Sequence, residues 1–371
     1  MVGVAFGMAR YAYGLTLPSI RSDLGLSELV LGLIGSATFA GYLAGLLLAG
    51  PLATRRGSRA PTTVGGVFGA VGAVLVTFAH SPWLLAAGAV AAGSAGGWVW
   101  APYSDIVTRT VPVRAQPRAL ATITTGTGGG LVVLAALAAV ALLGSWRLVW
   151  AGVALAAVVA AVVNLRLVPQ TQPHPRPRGD HGTSSLLRAL RVPAGYSVVY
   201  FAIVIVYFTY AADVLGRGTL PAAAVPVLYA VVGCTGVLAL TTGAMVRRIG
   251  SIRVAASALA AVGTALAILG YAPDSPTATA VSAAIFGVGY MTGSAVLAVW
   301  TAEVVPDRAG AAFTACLIVG AVSSVAAPAI AGAVIPGLGL GPLLVCTAAI
   351  SVFGAMALQV HSCVRRDTAT Q

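Results

Sequence analysis

Twelve apolar segments, joined by short turns except at one place, decide what this chain can become. They run over roughly 2–20, 28–52, 60–79, 82–104, 116–143, 147–166, 193–213, 222–246, 252–271, 276–302, 309–335 and 340–362. Each is long enough for a hydrocarbon core of ~30 Å when some tilt is allowed. In such a core every backbone N–H and C=O must be satisfied by helix or closed barrel. A barrel strand would alternate polar and apolar residues, so continuous apolar runs predict helices. The expected class is therefore all-α integral membrane, with twelve transmembrane helices. Composition closes the soluble alternative: 58% of the 371 residues are hydrophobic and only 8% are charged, against about 25% charged in a soluble domain.

The exception to the short turns is Pro169 to Ser185, rich in Pro and polar residues. It predicts an extended linker, followed by a short interfacial helix over Leu186–Arg191. The expected division is an N-terminal six-helix bundle over 1–167, a cytoplasmic linker over 168–192 and a C-terminal six-helix bundle over 193–371. His174 and His181 in the linker are read as solvated, not as metal ligands. The apolar start reads as the first helix and not a cleavable leader, and a few residues before Met1 are expected.

The net charge of +12 comes from 21 Arg and no Lys, against 9 acids. In a soluble protein such an excess points to nucleic acid; here it reads as topology. With the N-terminus in the cytoplasm, seventeen Arg fall on the cytoplasmic side, three (Arg21, Arg147, Arg217) outside, and Arg10 inside a helix. That bias predicts both termini in the cytoplasm of a multi-pass cell-membrane protein. The absence of Lys excludes a Walker A loop and lysine Schiff-base chemistry. The spacing of Cys234, Cys316, Cys346 and Cys363 is neither a zinc pattern nor a disulfide framework. No metal, cofactor or nucleic acid is expected.

One turn has a distant copy. Gly50-Pro51-Leu52-Ala53-Thr54-Arg55-Arg56-Gly57-Ser58-Arg59 shares Gly, Arg, Gly and Ser with Gly243, Arg248, Gly250 and Ser251, at an offset of 193. Val111-Pro112-Val113-Arg114 returns as Val305-Pro306-Asp307-Arg308 at an offset of 194. Duplicated six-helix bundles follow. An even helix number makes the repeat parallel, with a site expected between the halves near the midplane.

These residues resemble the major facilitator superfamily over essentially the whole length. Gly50 to Arg59 is similar to the family signature between helices 2 and 3, with its echo between helices 8 and 9. Glu303 to Arg308 resembles the acidic-Pro-Arg end of helix 10 in several branches. Phe6 to Pro18 resembles the YbfB-type branch. The resemblance implies a secondary transporter with alternating access. Two departures stand out. Thr54 and Arg247 occupy the place of the family's loop Asp, and the glycines of helix 5 (Gly126, Gly128, Gly129, Gly130) lack the antiporter Pro.

Candidate residues fall in three groups. Arg10, about halfway along helix 1, costs ~2.5–3.5 kcal/mol there on insertion scales. It either lines the cavity and binds an anionic or polar solute group, or pairs with a carboxylate or helix carbonyls. The other cavity candidates are Tyr11, Tyr13, Tyr42, Trp100, Tyr200, Tyr207, Tyr210 and Tyr290, with interfacial anchoring or packing as the alternative. A cytoplasmic gate is expected from Gly50, Arg55, Arg56, Gly57, Arg59, Asp105, Arg247, Arg248, Gly250, Glu303 and Arg308, with Asp105 supplying the carboxylate that Thr54 does not. Proton coupling needs a carboxylate that changes charge, for which Asp213 and Glu303 are the candidates.

The expected function is movement of a small organic solute across the membrane by a monomer, as export of a small hydrophobic or amphipathic compound, with protons as a candidate coupling ion. The alternative is uptake of a small organic anion bound by Arg10. A sensor or an intramembrane enzyme is disfavoured: the chain carries neither His-Glu-x-x-His nor Gly-x-Gly-Asp.

Overall fold

The computed structural model describes residues 1–171 and 183–367. The chain forms twelve helical spans, with no strand among the described residues. α1 joins a π-helical segment, Gly3–Ala9, to an α-helix, Ala12–Leu24. α2 is Glu28–Arg56, α3 Arg59–Thr77, α4 Pro82–Thr110, α5 Gln116–Ala141 and α6 Arg147–Leu167. α7 is Thr183–Arg217, α8 Ala224–Ile249 with a 3₁₀ stretch at Gly236–Thr241, and α9 Ser251–Tyr271. α10 is Pro276–Val304, α11 Ala309–Leu338 and α12 Leu340–Asp367. Among the described residues, eleven helices are long and apolar enough to cross a membrane; α1 is broken at Arg10–Tyr11.

Several boundaries differ from the expectation: α2, α4 and α12 run on to Arg56, Thr110 and Asp367, beyond 52, 104 and 362. The interfacial helix expected at Leu186–Arg191 is not separate, because α7 runs unbroken through Pro193. α1 continues to Leu24, where Gly25 at φ 61° stops it in the left-handed conformation.

Local chemistry explains the repeat. α4 and α10 both start Ser-Pro: Ser81 and Ser275 accept from the N–H of Leu84 and Ala278, and Pro82 and Pro276 take the first helical position. Gly57 and Gly250 end α2 and α8 at φ 79° and 85°, where a side chain is strained. The Gly shared by both copies of the turn is thus a backbone requirement.

Within the first bundle, small residues let backbones touch. A Cβ on Gly41 would lie 2.1 Å from the Val90 carbonyl oxygen, and one on Gly45 2.5 Å from that of Ser94. The lipid-facing surface is apolar, with Leu33, Leu48, Phe68, Leu155 and Phe353 all exposed. Between the bundles, α1 meets α7, α2 meets α11 and α5 meets α8. The bundle thus has an Arg-rich end, carrying Arg55, Arg56, Arg247 and Arg248, and an opposite end, carrying Arg21, Glu28 and Arg217. The α1–α7 contact is the tightest: a Cβ on Gly14 would sit 1.8 Å from the Phe208 carbonyl oxygen. Gly14→Val must therefore push these helices apart. Spin labels on α1 and α7 at the opposite end should show longer, broader distances than in the wild type.

Candidate functional site

The break in α1 puts its charge in the middle of the protein. Gly3 and Gly7 press the π-helical segment onto α5: a Cβ on Gly7 would lie 2.4 Å from the Thr127 carbonyl oxygen. π-helical turns often mark functional sites. Arg10 follows this segment directly and is 3% exposed. Its guanidinium carbon lies 4.2 Å from the Tyr42 ring centroid, 5.3 Å from Phe39 and 5.5 Å from both Phe6 and Tyr11. Aromatic faces attract a cation by their quadrupole but do not neutralise it. Arg10 forms no ion pair among the described residues, and its Nε has no hydrogen-bond partner. The carboxylate-pairing alternative is therefore not what the structure shows.

Arg10 faces a cavity of about 220 Å³ between the halves. The first half contributes Phe6, Tyr42, Trp100, Thr124 and Thr127; the second contributes Phe201, Tyr290, Met291, Ser294, Phe313 and Leu317. The walls are mostly apolar with a few hydroxyls, which suits an amphipathic solute. Tyr11 is stacked on Phe208 with ring centroids 3.7 Å apart, and its hydroxyl meets that of Tyr290 at 2.8 Å. That pair joins the two halves beside the cavity.

Four tyrosines expected in the cavity are packed elsewhere. Tyr13 donates to the Leu31 carbonyl at 2.7 Å, and Tyr210 to that of Pro328 at 2.9 Å. Tyr207 stacks on Phe286 at 3.6 Å with its hydroxyl 3.2 Å from that of Ser282. Tyr200 donates to the Tyr290 carbonyl, one layer behind the wall. Each hydroxyl already has a partner, as a buried one must. Conversely, Phe6, Thr124, Thr127, Phe201, Ser294 and Phe313 line the cavity without having been expected there. Phe6 stands four residues before Arg10, and Ser294 four after Tyr290; that helical spacing is the one signal that pointed to them.

At the opposite end, α1, α2 and α7 are tied by charge. Asp213, whose side chain is 0% exposed, lies 2.5 Å from Arg21 and 2.7 Å from Arg217. Glu28 contacts Arg21 at 3.4 Å and Arg217 more closely still. The Arg21 contact with Asp213 Oδ1 is an ion pair without hydrogen-bond alignment, so it acts through charge rather than direction. Ser36 Oγ also accepts from the Ala329 N–H at 2.9 Å, from α2 to α11. In the loops at this end, the Thr219 N–H and hydroxyl hold the Asp274 carboxyl below the usual carboxylate range.

The Arg-rich end is built differently from the expectation. Asp105 pairs with none of Arg55, Arg56 and Arg59. It accepts from Ser58 Oγ and from Arg109 Nε, the latter at 2.8 Å. Arg59 instead reaches the carbonyls of Leu165 and Val168, each at 3.4 Å, while Arg55 and Arg56 are exposed. The second half repeats the device: Ser251 Oγ donates to Glu303 at 2.6 Å. Ser58 and Ser251 are the eighth residues after the leading glycines, so a hydroxyl anchors the carboxylate in both copies. These links lie within a half and do not cross between halves. Ser58→Ala should cost about 0.5–1.5 kcal/mol, read as a lower melting temperature.

Comparison with known proteins fits this geometry. A search of curated protein sequences returned no match. Among solved structures, the peptide transporter POT, in a mutant form, is 15% identical with a TM-score of 0.79, covering 97% of this chain and 93% of its own. A D-xylose-proton symporter is 14% identical at 0.79, with 96% and 94% covered. The nucleoside transporter NupG is 13% identical at 0.70, with 97% of each chain covered. At such identities the likeness is one of fold. The sequence itself matches the family described as Major Facilitator Superfamily over residues 1–328, and the chain belongs to that superfamily: it is a multi-pass membrane transporter, not an enzyme.

Proposed function

We propose that this protein moves a small amphipathic organic anion across the cytoplasmic membrane by alternating access, with Arg10 as the solute's charge partner. One observation carries the reading: a buried guanidinium faces the central cavity with aromatic neighbours and, among the described residues, no carboxylate partner. Uncompensated buried charge is costly and persists where function uses it. An anionic group on the solute supplies the missing partner through a bidentate contact, and the apolar walls take the rest of its body. The apolar lining also suits the export of a hydrophobic compound, but that reading leaves Arg10 without a role.

The two six-helix bundles, joined by the segment between α6 and α7, are the rocking units in this account. The Arg-rich end is cytoplasmic by the positive-inside bias. The described ion pairs between halves then form the outer closure, so the cavity belongs to an inward-facing state. Asp213 is the coupling carboxylate in this scheme, because its charge holds that closure. Glu303 is exposed and bound within its own half, which suits an anchor better.

Flux into proteoliposomes tests the reading. Aromatic or branched monocarboxylates should show saturable flux that responds to an imposed pH gradient. Saturable flux of cationic or uncharged compounds, with none for carboxylates, would overturn it.

A further inference from the structure

A second cavity, of about 810 Å³, lies at the Arg-rich end of the second bundle, between the start of α7, the α8–α9 turn and the ends of α10 and α12. It shares no lining residue with the central one. Arg188 and Arg191, three apart on α7, line it together with Arg253 of α9 and His361 of α12. None of these arginines forms an ion pair among the described residues. His361 Nε2 is buried without a hydrogen-bond partner. The carboxylate in the wall, Glu303, is engaged by Ser251 Oγ at 2.6 Å. Among the described residues, three guanidinium groups against one carboxylate leave a recess of net positive charge, which concentrates anions. The floor is apolar and includes Trp300, 3% exposed.

Guanidinium forks match the geometry of phosphate oxygens. Basic pockets between helices at the membrane surface suit phosphate head groups, whose glycerol and acyl parts need apolar contact. We infer that this cavity binds a phosphate oxyanion through Arg188, Arg191 and Arg253, and that its source is the head group of an anionic lipid. The apolar floor favours a lipid over free phosphate. A head group seated there ties the start of α7 to α9 and α12, so its presence stabilises the second bundle.

The test uses the full chain in nanodiscs of phosphatidylcholine, with and without added phosphatidylglycerol, and reads the melting temperature. Phosphatidylglycerol should raise it. An Arg188→Gln/Arg253→Gln variant should melt as the wild type does in phosphatidylcholine alone and lose most of that rise. Arg166→Gln, at the end of α6 and outside the cavity, should keep the rise and so exclude a general charge effect. If the double variant does not fold, Arg191→Gln carries the same comparison. Inorganic phosphate added to phosphatidylcholine discs should give no rise; a rise equal to that with the lipid would overturn the lipid source. No rise with either, or a rise that survives loss of the arginines, would overturn the site.

Discussion

Arg10→Leu is expected to raise the melting temperature of the ligand-free protein while abolishing solute binding. The two effects have one cause. Without a solute the guanidinium has four aromatic neighbours and, among the described residues, no counter-charge. Cation–π contacts return ~0.5–2 kcal/mol, less than the cost of a desolvated, unpaired charge. Replacing such a group with an apolar residue is commonly stabilising, by about 1–4 kcal/mol where buried ion pairs have been replaced. With the solute bound, the balance reverses. Losing one partner of a buried charge pair costs about 2–5 kcal/mol, a rise in Kd of roughly thirty- to several-thousand-fold. Arg10→Lys keeps the charge without the planar fork, so its binding should fall between the two. Thermal melting and equilibrium binding on the same samples check both halves. A variant that lost stability and binding together would instead make Arg10 a structural residue.

The second large effect is expected from Asp213→Asn. Its carboxylate has no exposed surface and sits against Arg21 from one half and Arg217 from its own. Without it, two arginines share the one remaining carboxylate, Glu28. Breaking a buried pair costs about 3–5 kcal/mol. Arg21 and Arg217 are 25% and 35% exposed, so screening reduces this to about 1–3 kcal/mol. Each ~1.4 kcal/mol shifts a two-state equilibrium tenfold. The variant should therefore populate the state open at this end, seen as longer distances between labels on α2 and α11. Asp23 provides the control. It pairs with Arg147 at 2.7 Å, but α1 and α6 belong to the same half. Asp23→Asn should leave the distances unchanged.

The membrane class and the family were legible because apolar length and the Gly57/Gly250 repeat are local signals. The pairing partners were not. Asp105 is expected from the sequence to serve Arg55, Arg56 or Arg59 of the turn, yet Ser58, one residue from Gly57, and Arg109 hold it. The repeat contained that answer, since Ser251 stands at the same offset and Glu303 at the matching helix end. The place of the α7 tyrosines is hidden for a different reason. On a helix such as α7, apolar nearly all round, no polar stripe tells which face meets the cavity. Residue type alone points Tyr200, Tyr207 and Tyr210 at the cavity, and the partners of their hydroxyls are on other helices. The π-helical turn before Arg10 was equally hidden. Gly3 and Gly7 were visible, but their fit against Gly126 and Gly130 depends on tertiary packing.

Solute charge tests the central claim most directly. Solid-supported membrane currents or binding can be compared for an aromatic carboxylate and its uncharged amide, on wild type and on Arg10→Leu. The account predicts a saturable response to the carboxylate in the wild type, little for the amide, and none for either in Arg10→Leu. Equal responses to acid and amide, unchanged in Arg10→Leu, would contradict it.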